Sequence, residues 1–180
     1  MEKKFELTDK FVFNTFGIKL FQIKCTKSFK YAKEGDLGGY VEKDENLDQE
    51  SDAWVYGNAQ VSGNARVSGN AQVYGNARVY GNAQVYGDAW VYGDAQVSGD
   101  ADIENDNNHC GFDCFGSCNR HTHAYLTKDN KVEITCGCFR GSIEEFEKKV
   151  EKTHSGKIYE KQYKAIINVI KIKFGLTDLI

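Results

Sequence analysis

From residue 52 to residue 105 the chain repeats one apolar and polar pattern without a break: DAWVYG, NAQVSG, NARVSG, NAQVYG, NARVYG, NAQVYG, DAWVYG, DAQVSG, DADIEN. In every hexad Ala and Val, or Ile in the last, stand two apart. Both therefore project to one side of a short strand, while the residue between them and the one after Val project to the other. The pattern predicts Ala and Val facing inward. Gly followed by Asn or Asp supplies a corner, because these residue types tolerate positive φ at low cost. A fixed short period of this kind is the mark of a solenoid, whose units bury their apolar residues only by stacking on neighbours. The region is expected to coil into a parallel β-helix.

A stub of solenoid has open ends that need covering, and the flanks carry the means. KLFQIKCT at 19–26 alternates like a strand, and GDLGGYV at 35–41 is turn-rich. Val41 and Leu47 fall twelve and six residues before Ala53, so the coil is expected to begin irregularly in this segment. Beyond the repeats, 124–126 and 131–135 read as two strands across a Lys-Asp-Asn turn. Ser142 with Glu145 three residues later forms a capping box for a helix that puts Ile143, Phe146 and Val150 on one face. A second helix aligns Tyr159, Tyr163, Ile166, Ile167, Ile170 and Phe174 and stops at Gly175. The expected architecture is mainly β. An N-terminal β cap (1–51) leads into the hexapeptide-repeat β-helix (52–105), and a C-terminal α+β module of two strands and two helices (106–180) follows.

Composition narrows the class. The 180 residues are 41% hydrophobic and 13% aromatic, enough to bury a core. No run of 18 apolar residues occurs, and the start Met1-Glu-Lys-Lys-Phe5 lacks the apolar stretch of a signal peptide, so a soluble cytoplasmic protein with no membrane role is expected. In a reducing compartment the six cysteines are thiols or metal ligands rather than disulfides. The net charge is −3 and no segment clusters Lys and Arg, which argues against non-specific nucleic-acid binding. Proline is absent, as suits a chain of ladders and helices with no rigid linker.

The spacing aliphatic-x-x-x-small-x, as in Val55-Tyr-Gly-Asn-Ala59-Gln, resembles the hexapeptide repeat of left-handed β-helix proteins, many of them acyltransferases. That resemblance implies a left-handed β-helix with three hexads per triangular coil, hence three coils, about 14 Å tall at the spacing of neighbouring strands. A wider pattern is similar to uncharacterised phage and prophage proteins: GDLGGYV before the repeats, then Gly116-Ser117, Thr122 and CGCFRGSIEEF from Cys136 to Phe146. The likeness implies a phage accessory protein, a class that includes antagonists of host defence such as anti-CRISPR proteins and nucleotide sponges.

At three hexads per coil the outward residues sort onto three faces. One of them gathers Trp54, Tyr56, Tyr74, Trp90 and Tyr92, with Gln72 among them. So many large aromatics on one face predict an interface, unless the C-terminal helices fold back over it. The other two faces carry Gln, Arg, Ser and Tyr, with Asp102 and Glu104 on the third. A second candidate is the Cys and His cluster, with Cys110, Cys114, Cys118, Cys136 and Cys138 as metal ligands. Cys-x3-Cys-x3-Cys and Cys-x-Cys are not a standard finger spacing, so zinc stands behind free thiols. A third is Gly116, Ser117 and Arg120, where backbone N–H groups, a hydroxyl and a guanidinium offer a phosphate cradle.

His109, His121, His123 and His154 all lie outside the repeats, and no loop interrupts the nine hexads. The His base and donor groove that the acyltransferase resemblance implies thus have no counterpart in the repeat region. The expectation is a non-catalytic binding and assembly protein without a required cofactor. It would form a homo-oligomer and bind a host protein; the alternatives are a sponge for a small nucleotide and an acyltransferase.

Overall fold

The computed structural model describes residues 2–176. It divides into two compact units, residues up to 106 and residues from 107 on.

In the first unit, β1 (Phe5–Phe13) and β2 (Lys19–Cys25) form an antiparallel hairpin, and β3 (Leu37–Val41) pairs antiparallel with β2. Nine two-residue strands follow, β4 to β12, at Trp54–Val55, Gln60–Val61, Arg66–Val67, Gln72–Val73, Arg78–Val79, Gln84–Val85, Trp90–Val91, Gln96–Val97 and Asp102–Ile103. They stack in parallel as three ladders, β4-β7-β10, β5-β8-β11 and β6-β9-β12, so each face of the solenoid collects every third hexad, as the sequence predicts. The strand N–H groups reach carbonyls one coil on, Tyr56 N donating to Val73 O at 2.8 Å and Tyr74 N to Val91 O at 3.0 Å, while Ala N–H groups close the corners within a coil, as Ala59 N does to Tyr56 O. Every Ala and Val of the repeats, with Ile103, is buried. Removing a valine side chain from water contributes about 1.5–3 kcal/mol, so the inner column of valines is the principal source of cohesion.

The corners differ from expectation in one respect. Glycine alone supplies the positive φ, for example +68° at Gly69 and +74° at Gly81. A Cβ on Gly69 would meet Gly87 N at 2.7 Å, so the glycines also let successive coils approach closely. The Asn or Asp that follows has ordinary φ and serves a different end, a ladder of side-chain hydrogen bonds between coils.

The solenoid has about four turns rather than three. The segment before the repeats supplies a leading coil: β3 pairs parallel with β5, matching Val41 to Val61, and Leu47 bridges to Val67. These steps are 20 residues rather than 18, which is the irregular start that Val41 and Leu47 predict. Buried Asn46 fills the irregular corner by donating to Gly63 O and Ala65 O. Gly38 and Gly39 are needed here, since a Cβ on either would lie 2.6 Å from a carbonyl oxygen of the next coil. The N-terminal segment is therefore continuous with the β-helix, its β3 and Leu47 building the leading coil. Its Lys4 amine is buried and donates to Ser51 O and Ala53 O; burial lowers its pKa to about 8.

The second unit holds a four-stranded antiparallel sheet, β13 (His109–Phe115), β14 (Arg120–Leu126), β15 (Val132–Cys136) and β16 (Phe139–Ser142), followed by α1 (Ile143–His154) and α2 (Ile158–Lys173). The two strands expected from sequence are β14 and β15; β13 and β16 flank them. Ser142 caps α1, its hydroxyl accepting from Glu145 N while Glu145 accepts from Ser142 N. Ile143, Phe146 and Val150 meet Tyr163, Ile166, Ile167 and Ile170 over Ala124 and Ile134 of the sheet. Among the described residues no helix is long and apolar enough to cross a membrane.

Candidate functional site

The aromatic face of the solenoid is not uniformly exposed. Trp54 is only 1% exposed: its ring meets Phe5 and Phe29 edge-on, at 6.4 and 5.5 Å between centroids. It is an outward residue of the coil yet a core residue of the unit, because the N-terminal segment covers it. Trp54 therefore leaves the predicted interface set. Tyr56, Tyr74 and Tyr92 form a continuous column up the same face. Tyr56 meets Tyr74 edge-on at 6.5 Å, and Tyr74 stacks on Tyr92 at 5.6 Å with the planes 19° apart. Tyr56 is further tied by donation to Gln72 Oε1. At the last coil Trp90 and Tyr92 remain open, 47% and 51% exposed. Burial and the neighbouring phenol hold the Tyr74 hydroxyl above the usual tyrosine range.

A second aromatic group escaped the sequence reading. Phe11, Phe13 and Phe16 on the β1–β2 hairpin are all exposed, with Phe11 and Phe13 edge-to-face and Phe16 against Tyr80 at 5.5 Å. Asn14 shapes the turn by accepting from Phe16 N and Ile18 N. The signal was available: Phe11 and Phe13 are two apart, hence on one strand face.

The proposed Cys and His cluster is divided by the second unit's sheet. Strand alternation sends Cys110 and Cys136 to the helix-covered face, whereas His109, His121 and His123 lie on the other with Tyr125. There His109 Nδ1 and His123 Nε2 are 2.9 Å apart, and His121 Nδ1 lies 2.5 Å from Asp113 Oδ1. Cys114 is exposed near the end of β13, Cys118 on the β13–β14 turn and Cys138 on the β15–β16 turn. Burial pushes the Cys110 thiol up to about 11, which disfavours the thiolate a metal needs. Among the described residues no three Cys, His, Asp or Glu side chains converge as a metal site, and Cys110, Cys114, Cys118, Cys136 and Cys138 are spread over the buried sheet face and the exposed turns.

Three of those cysteines instead share a cavity of about 210 Å³ within the second unit. Ser117 and Cys118 come from the β13–β14 turn, Arg120 from the start of β14, Cys136 from β15, Cys138 from the β15–β16 turn and Phe139 from β16. Phe146, Lys149, Val150, Thr153 and His154 come from α1, and Tyr163 from α2. The floor is a run of rings, Phe139 to Phe146 at 5.0 Å, Phe146 to Tyr163 at 5.5 Å and Tyr163 stacked on His154 at 5.5 Å. Burial and the adjoining Cys136 thiol raise the Tyr163 phenol to about 12, so it remains a hydrogen-bond donor.

The suggested phosphate cradle is altered accordingly. The Gly116 N–H is already used, donating to Gln162 Oε1 at 3.0 Å, and a Cβ at this position would strike the Tyr163 ring. Gly116 is a packing residue, while Ser117 and Arg120 do line the cavity.

A family model described as the YdcK beta solenoid repeat matches residues 59–72, 71–85 and 83–99. These matches fall inside the solenoid and cover less than half of the chain, so they identify its repeat and leave both flanks unassigned. No curated protein matches the chain.

Proposed function

We propose that the protein is a non-catalytic binding protein whose solenoid anchors a host-cell protein on the Tyr74, Tyr92 and Trp90 end of its aromatic face. The observation that carries this reading is the pair of large aromatics half-open to solvent at Trp90 and Tyr92, with Tyr92 held by stacking on Tyr74. Rings fixed by a hydrogen-bonded ladder lose little entropy on contact, and Trp and Tyr are the favoured anchors of protein interfaces. The absence of histidine from the repeats supports binding over acyl transfer. The likeness of the flanking segments to phage and prophage proteins supports a partner in the host cytoplasm, and antagonism of a host defence as the outcome.

The test compares the natural chain with a Trp90→Glu, Tyr92→Arg variant. Each anchor of this type is worth about 2 kcal/mol or more, so together they alter affinity by more than about a hundredfold. The natural chain should capture a host protein in stoichiometric amount, and the variant, with unchanged circular dichroism, should lose it. Equal capture by both would contradict the reading, as would turnover of an acetyl donor. Light scattering on both identifies the other occupant: a shift to a smaller species in the variant would make the face a contact between copies of this chain.

A further inference from the structure

We propose that the cavity of the second unit is a binding site for a small organic oxyanion, a phosphate or carboxylate carried on a single flat ring. Its charge points that way first. Arg120 and Lys149 line it, no Asp or Glu does, and neither cation has an ion-pair partner among the described residues. In a chain of net charge −3, two unpaired cations at one acid-free cavity are an anion's complement.

The backbone also places the arginine. Gly137 has φ +61°, and a Cβ there would lie 2.5 Å from Arg120 Nη1, so the β15–β16 turn leaves the space that the guanidinium occupies. Ser117 adds a hydroxyl at the same rim. Beneath them the Phe139, Phe146 and Tyr163 rings form an apolar floor suited to a flat ring. Size limits the ligand: about 210 Å³ is below the range of cavities that hold drug-sized molecules, so a ring with one charged group fits and a nucleic-acid strand does not. The inference is independent of the solenoid's proposed role.

The cavity carries its own reporters. Cys118 and Cys138 line it and are exposed, whereas Cys114 is exposed outside it. The experiment measures alkylation of each cysteine by iodoacetamide, read by mass spectrometry, with phenyl phosphate, benzoate or inorganic phosphate present. Phenyl phosphate or benzoate should slow modification of Cys118 and Cys138 severalfold and leave Cys114 unchanged; which of them protects better tells phosphate from carboxylate. Arg120→Gln should abolish the protection, and Lys149→Gln on the α1 wall of the cavity should weaken it. Protection by neither ring compound, undiminished protection in folded Arg120→Gln, or equal protection by inorganic phosphate would overturn the assignment.

Discussion

Asn70 Nδ2 donates to Asp88 Oδ1 across 2.9 Å, from one coil to the place eighteen residues on. The same bond joins Asn76 to Asp94, and a longer run passes from Asn64 through Asn82 to Asp100. An amide can accept from one neighbour and donate to the next, whereas a carboxylate can only accept. The order of residue types from Asn58 onward follows from this: Asn donates at each coil up to Asn82, and Asp88, Asp94 and Asp100 close the ladders at the last one.

Asn82→Asp should therefore destabilise the solenoid, since it sets two carboxylates against each other in register. The expected loss is about 0.5–1 kcal/mol at neutral pH. Thermal melts of the variant and the natural chain at pH 7 check this. A variant as stable as the natural chain at pH 7 would show the ladder to be inert.

Val79 is fully buried between Val61 and Val97. Val79→Asp puts a carboxylate where neither water nor a partner can reach it, at a cost of several kcal/mol, and should abolish the cooperative melting of the solenoid by circular dichroism. A retained transition would refute the inward assignment.

Alkaline titration gives a third expectation. The Tyr163 phenol, raised to about 12 by burial and the Cys136 thiol, keeps its proton longer in the folded chain than in the unfolded one. Its contribution to stability is complete below the unfolded value of about 10 and is lost as pH rises towards 12. Phenolate absorbance should show a last component that Tyr163→Phe removes. If that component persists in the variant, Tyr163 is not the shielded phenol.

The repeat was legible because its period fixes both the inward valines and the membership of each face, without knowledge of any distant contact. The capping box at Ser142 and Glu145 is equally local. What escaped is non-local. Trp54 looks like Trp90 in its hexad, and only the packing of Phe5 and Phe29 separates them. β13 and β16 draw on a segment rich in Gly and Cys with a register shift between Phe112 and Phe115, so no clean alternation marks them. Sequence groups Ser117 and Arg120 in one candidate cradle and Cys118, Cys136 and Cys138 in a separate candidate ligand set. Their convergence with Lys149, His154 and Tyr163 depends on where α1 and α2 pack.

The central claim, that the open end of the aromatic face anchors a partner, is tested most directly by iodide quenching of tryptophan fluorescence. The chain has two tryptophans, Trp54 buried and Trp90 half-exposed. In the free protein the quenchable emission should belong to Trp90 and vanish in Trp90→Phe. With the captured host protein bound, Trp90 should become shielded. A Trp90 that stays as accessible to iodide in the complex as in the free chain would contradict the account.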